Sequence, residues 1–135
     1  MRRLALTTTL ACAVAAPVAL ATTSNTKFWQ NPKHTAVCGK RIGQRSFQLL
    51  CSAKGIPRPK SGGSTGDPFV VLGKTGRPKI VLLSQREFPA GNPKTLANHS
   101  DWAKNGISCG VSQKVICSNT SNHGFVIGDG KYKTF

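Results

Sequence analysis

The chain has 135 residues, with 19 Lys and Arg against four Asp and Glu, a formal net charge of +15. That length suits one small domain and leaves no room for two sizeable cores. Four carboxylates and three histidines are a thin inventory for acid–base or metal chemistry, whereas the charge favours phosphate-rich or carboxylate-rich partners.

Met1-Arg2-Arg3 precedes an uncharged, alanine-rich run from Leu4 to Ala21. Two arginines ahead of an apolar stretch are the opening regions of a secretory signal peptide, and Ala19-Leu20-Ala21 supplies the small-x-small cleavage site. Residues 1–21 are therefore expected to be removed, leaving 22–135 as a single secreted β-rich domain. A membrane anchor fits less well, because Thr7-Thr8-Thr9 and Pro17 interrupt a run already short against the ~20 residues of a spanning helix. A lipoprotein site at Cys12 is disfavoured by the apolar residues that follow it. No later segment is apolar enough to span. Loss of Arg2 and Arg3 takes the formal charge from +15 to +13.

Cys38, Cys51, Cys109 and Cys117 remain. An even count in a small exported chain predicts two disulfides in an oxidising, extracellular or wall-associated setting. Zinc is the rival, but no Cys-x-x-Cys pair exists and the histidines are scattered.

The pattern beyond residue 22 predicts an all-β fold, a small antiparallel sheet or barrel-like domain of hairpins. Ala36-Val37-Cys38 is a short apolar stretch, and Phe47, Leu49 and Cys51 alternate with Gln48, Leu50 and Ser52 at the two-residue period of a strand. Twelve residues lie between Cys38 and Cys51, so a tight turn at Gln44-Arg45 would set them opposite each other. Residues 54–68 are rich in Pro, Gly and Ser and predict a flexible loop carrying Arg58 and Lys60. Phe69 to Leu72 and Lys79 to Leu83 form a strand pair joined through 73–78. Residues 87–105 predict a longer excursion packed on the sheet through Phe88, Leu96 and Trp102, with a single helical turn at Ser100 to Lys104.

Ile107 to Val111 and Lys114 to Cys117 follow. Seven residues separate Cys109 from Cys117, centred on Gln113, and a three-residue turn would face the two sulfurs. Among three connectivities, Cys38–Cys51 and Cys109–Cys117 are thus favoured on hairpin geometry. Ser121-Asn122-His123-Gly124 reads as a turn, and Asp129-Gly130 as a type I′ hairpin that would set Ile127 opposite Tyr132 and Phe125 opposite Thr134.

Phe28, Asn31, Pro32, His34 and Cys38 at the front, with Cys109, Cys117, Asn119, His123, Gly124, Phe125, Tyr132 and Phe135 at the back, form an ordered pattern. It resembles a family of small exported bacterial domains, mainly actinobacterial, of unknown function, with a C-terminal His-Gly-Phe…Tyr…Phe motif. The resemblance implies an exported single domain and supplies no activity. The chain lacks the extra central cysteine pair of many relatives.

Three functional classes compete. A non-catalytic module could bind anionic cell-wall polymer or nucleic acid, with Trp29, Trp102, Arg58 and Lys60 as candidate binding residues; core packing is the simpler reading of each tryptophan. A secreted ribonuclease would use Glu87 as base and His123 as acid, yet local hydrogen bonding is the simpler role for His123 and ion pairing with Arg86 or Lys94 for Glu87. An exported inhibitor would present rigid loops to a secreted enzyme. A serine elbow at Ser108 lacks its Gly-x-Ser-x-Gly setting. Asn98 and Asn119 head formal glycosylation sequons. No cofactor is implied, and the non-catalytic module is the reading the sequence favours.

Overall fold

A computed structural model describes residues 23–24, 26–60 and 65–135. The expected signal peptide lies outside the described residues, as do residues 61–64 of the loop expected to be flexible.

The described chain is all-β. Its strands are β1 (Thr23–Ser24), β2 (Phe28–Gln30), β3 (Ala36–Lys40), β4 (Gln48–Ala53), β5 (Asp67–Gly73) and β6 (Lys79–Leu83), then β7 (Lys94–Thr95), β8 (Ser100–Lys104), β9 (Ile107–Val111), β10 (Val115–Asn119), β11 (Gly124–Gly128) and β12 (Lys131–Thr134). They form two six-stranded sheets rather than one closed barrel. Sheet I has the order β6-β5-β4-β3-β2-β7 and sheet II the order β1-β8-β9-β10-β11-β12. Each is an antiparallel meander extended at one edge by a two-residue strand in parallel pairing, β7 on β2 and β1 on β8.

The strand period decides what each face buries. In β4, Leu49 and Cys51 enter the principal core while Leu50 faces the other way; in β5, Val70 and Leu72 enter it while Phe69 and Val71 face away. Sheet II contributes Trp102, Ile107, Cys109, Val111, Val115, Cys117, Phe125 and Ile127 to that same core. The sheets therefore pack face to face as a sandwich.

Chain order explains the second cluster. β6 and β7 lie at opposite edges of sheet I, so residues 84–93 must cross its outer face. Phe88 lies on that crossing, 5.1 Å from Phe28 and 5.3 Å from Phe69 between ring centroids. It packs against the cluster of Leu50, Phe69, Val71 and Leu83. Gly39 opens the way: a Cβ there would approach the Pro89 ring to 3.0 Å. The excursion expected for 87–105 thus splits. Its first part covers sheet I, Leu96 enters the core, and Ser100–Lys104 is a strand rather than a helical turn. Ser100 and Trp102 point in while Asp101 and Ala103 point out, which is strand alternation, and Asn105-Gly106 closes the hairpin to β9 with both residues at positive φ.

Both disulfides form with the expected pairing, Cys38–Cys51 between β3 and β4 and Cys109–Cys117 between β9 and β10, each joining residues directly opposite in register. Each staple lies within one sheet. The β3–β4 connection spans residues 41–47 instead of a tight turn at Gln44-Arg45.

The two ends of the 54–68 segment are anchored. Ile56 is buried in the core, Asp67 and Pro68 already belong to β5, and Gly55 lies so close to the Gly130 carbonyl that no Cβ would fit.

At the C-terminal hairpin, Asp129 and Gly130 both have positive φ, and Ile127 faces Tyr132 while Phe125 faces Thr134. Gly124 pairs with Phe135 through two backbone hydrogen bonds, and a Cβ at Gly124 would collide with the Cys117 carbonyl and the Phe135 ring. Gly124, Phe125 and Phe135 of the His-Gly-Phe…Tyr…Phe pattern thus have packing roles.

Candidate functional site

The loops at one end of the sandwich are joined by a buried asparagine. Asn119 Oδ1 accepts from the backbone N–H groups of Ser121 (3.0 Å) and His123 (3.2 Å), closing the β10–β11 turn. Its Nδ2 donates across to sheet I, to the carbonyls of Gly73 (3.1 Å) and Gly76 (2.7 Å) in the β5–β6 turn. The Thr120 N–H and hydroxyl both donate to the Lys74 carbonyl. With its amide fully engaged and its side chain buried, Asn119 has no nitrogen to offer a glycan in the folded protein.

At the opposite end Asn31 does the reciprocal task. Its Oδ1 accepts from the N–H groups of Thr35 and Ala36, and its Nδ2 donates to Thr35 Oγ1 and, across the sheets, to the Gln113 carbonyl of the β9–β10 turn. One asparagine from each sheet therefore bolts its own turn to a turn of the other sheet.

The Asn119 bolt fixes the wall of an open cleft of about 690 Å3. Ser46 and Phe47 line it from the β3–β4 connection, Gln48 from the start of β4, Lys74 and Thr75 from the β5–β6 turn, and Asn105 from the β8–β9 turn. Gly106 leaves room for Lys74, whose Cγ would stand 2.9 Å from a Cβ at that position. Phe47 is held by stacking on Trp102, with centroids 6.3 Å apart and planes at 25°. Trp102 is held in turn by Trp29 and by donation of its Nε1–H to the Thr26 carbonyl at 2.6 Å.

Charge at this end is one-sided. Lys40, Arg45, Lys74, Arg77, Lys79 and Lys104 lie in these connections or at the strand residues flanking them, and none has a carboxylate partner among the described residues. The nearby acid, Glu87, is engaged: its Oε1 accepts from Arg41 Nη2 at 3.2 Å, and its backbone carbonyl accepts from Ile42 N–H. Arg41 also donates to Gln48 Oε1 at 3.1 Å, so one guanidinium ties the crossing segment to the edge of the cleft.

The residues singled out in the sequence fall in different places. Trp29 and Trp102 are fully buried, which corrects the exposed contact considered for them; both indoles fill the space between the sheets. Arg58 and Lys60 are exposed on the β4–β5 loop, whose neighbouring Gly55 packs on the β11–β12 turn at the far end from the cleft, and Arg58 donates to the Gly66 carbonyl. Glu87 pairs with Arg41 rather than with Arg86 or Lys94. His123 lines a separate hollow of about 240 Å3 with Arg77, Pro78, Thr134 and Phe135, without an acidic side chain. Glu87 and His123 share no hydrogen bond among the described residues, and Glu87 does not line the hollow that holds His123. His34, His99 and His123 stand in three separate turns, and no group of three potential metal ligands occurs among the described residues.

The cleft residues went unmarked in the sequence. The Asn105-Gly106 dipeptide, a strong hairpin signal, would have identified one wall. Nothing in the sequence would have joined it to residues 46–48 and 74–75.

Fold and site together define a disulfide-stapled β-sandwich with a cationic loop end, and paired buried disulfides indicate an oxidising, non-cytoplasmic compartment. No helix among the described residues is long and apolar enough to cross a membrane. No family model matches the chain, and neither a curated protein nor a solved structure matches it.

Proposed function

We propose that this protein is an exported, non-catalytic module that binds anionic polymer of the cell envelope through the loop end containing the Phe47–Lys74 cleft. The observation that carries the reading is the set of cations on the connections and strand ends at this end, with Lys74 lining the cleft and none of them paired with an acidic side chain among the described residues. Export through the N-terminal leader fits the two disulfides, and the resemblance to small exported bacterial domains fits the same reading. Spread lysines alone would give weak general adhesion. Here Lys74 lines a concave site whose β5–β6 wall is fixed by hydrogen bonds from Asn119 and Thr120, and the other cations lie on the same loop end, so recognition groups are positioned before a ligand arrives.

The test is retention on immobilised heparin and on isolated cell wall across a salt gradient. Binding should fall steeply and linearly on a log–log plot as salt rises, since each neutralised anion releases counterions. Lys74→Ala combined with Arg45→Ala should elute at markedly lower salt than Lys54→Ala combined with Lys131→Ala at the far end. Equal elution of the two double variants would remove the loop end from the proposal, and retention indifferent to salt would remove the polyanion.

A further inference from the structure

We infer that the cleft accepts a sugar ring of an acidic polysaccharide, with the ring laid against Phe47, its hydroxyls on Gln48, Asn105, Ser46 and Thr75, and its acidic group on Lys74. This rests on the polyanion reading above and names the chemical class of the polymer.

Three observations select a saccharide over a nucleic acid or a bare polyphosphate. Phe47 lines the cleft and is already fixed on Trp102, so an aliphatic ring face can settle on it with little ordering of the protein. The rest of the lining is uncharged and bifunctional: two hydroxyls and two carboxamides, which donate and accept. Sugar hydroxyls require both roles, whereas phosphodiester oxygens only accept. Gln48 Oε1 is occupied by Arg41, which orients the amide and leaves Nε2 as a donor. The polar side-chain atoms of Ser46, Thr75 and Asn105 have no protein partner among the described residues.

Size and aromatic count agree. About 690 Å3 lies in the range of small-ligand sites and accommodates a short stretch of rings rather than a long track. Single-stranded nucleic acid is usually held by several aromatic platforms along a cationic groove. In this cleft Phe47 is the aromatic lining residue, while Trp29 and Trp102 are sealed in the core. Lys74, from a turn bolted by Asn119 and Thr120, supplies the charge beside the ring site.

The experiment is isothermal titration of the processed, oxidised protein with four probes of matched total charge: an oligogalacturonate, a heparin-derived oligosaccharide, inorganic polyphosphate and oligo(dT), with a neutral cello-oligosaccharide as reference. The acidic saccharides are expected to bind about tenfold more tightly than polyphosphate or oligo(dT), the factor expected of one stacked ring and its hydrogen bonds. Phe47→Leu, which keeps an apolar side chain over Trp102, should lose that advantage and leave polyphosphate binding within about twofold. Asn105→Gly keeps a residue suited to positive φ and should weaken the saccharides selectively. Lys74→Ala should weaken every anionic probe. Thermal melting and tryptophan emission of each variant separate ligand loss from misfolding. Equal affinity for all four anions overturns the saccharide and leaves the polyanion module standing. Preference for oligo(dT) that Phe47→Leu abolishes replaces the sugar by a base. Failure of every anion to bind overturns both readings.

Discussion

Trp29 of sheet I and Trp102 of sheet II meet between the two layers, ring centroids 5.6 Å apart and planes inclined at 38°, both without solvent exposure. Neither disulfide crosses between the sheets. Cohesion of the two layers therefore falls to apolar packing, this pair included, and to hydrogen bonds between turns, those of Asn31, Asn119 and Thr120. Trp102→Ala should lower unfolding free energy by about 3–5 kcal/mol, combining lost apolar transfer with a cavity and the lost hydrogen bond to the Thr26 carbonyl. Urea denaturation measures this. Intrinsic emission of the native protein should be blue-shifted and resist acrylamide; ready quenching would contradict the burial.

The two asparagines make unequal predictions. Asn119→Ala strips partners from two N–H groups and two carbonyls and should destabilise by about 2–4 kcal/mol. Asn119→Asp should be worse at neutral pH, because a carboxylate oxygen would replace Nδ2 and face the Gly73 and Gly76 carbonyls. Its folded-state pKa would be raised, so the deficit should be smallest below the ordinary aspartate range and grow as pH rises through it. Asn31→Asp should be milder, because one of its Nδ2 acceptors is the Thr35 hydroxyl, which can turn to donate. Chemical denaturation of the three variants at about pH 3.5 and about pH 7 checks the order; equal losses for Asn31→Asp and Asn119→Asp would contradict the assigned geometry.

The disulfides close short loops, with sequence separations of 13 for Cys38–Cys51 and 8 for Cys109–Cys117. On a chain-entropy estimate each contributes about 2.5–3 kcal/mol, the longer loop slightly more. Paired Cys→Ala variants should therefore lose similar amounts and remain folded singly. Because each bridge lies within its own meander, the two losses should add nearly independently. Hydrogen exchange of the Cys109→Ala, Cys117→Ala variant should show its largest increases in β9 and β10. Increases spread evenly over both sheets would contradict that independence.

Local signals told the most. Asp129-Gly130 specified its turn because few residues tolerate two successive positive φ angles, and the turn then dictated the Ile127–Tyr132 register. The spacing of Cys109 and Cys117 around Gln113 specified a hairpin in the same way. Ser100–Lys104 misled because a Ser-Asp start resembles a helix cap, while the tertiary environment buries Trp102 on alternate positions. The cleft was illegible for a different reason: residues 46–48, 74–75 and 105 meet only after two meanders stack. Asn31 and Asn119 are ordinary turn residues in sequence, and their partners across the sheets are backbone carbonyls that no side-chain pattern reveals.

Tyr132 gives the domain a pH dependence on the alkaline side. It lies on β12 opposite Ile127 and packs partly against the core, and this burial raises its phenol pKa above the ordinary 10.0 by disfavouring the charged phenolate. The native state thus holds the proton more tightly than the unfolded chain. The corresponding stability is fully present below 10.0 and is lost as pH rises through that value towards the higher folded-state pKa. Tyr132→Phe keeps the ring, removes the ionising group and should flatten this part of the profile. Urea midpoints measured from about pH 9 to about pH 11.5 should fall more steeply for the wild type than for Tyr132→Phe, because lysine titration is common to both. Parallel profiles would mean that the phenol stays hydrated and that β12 packs on the core less closely than the sandwich geometry requires.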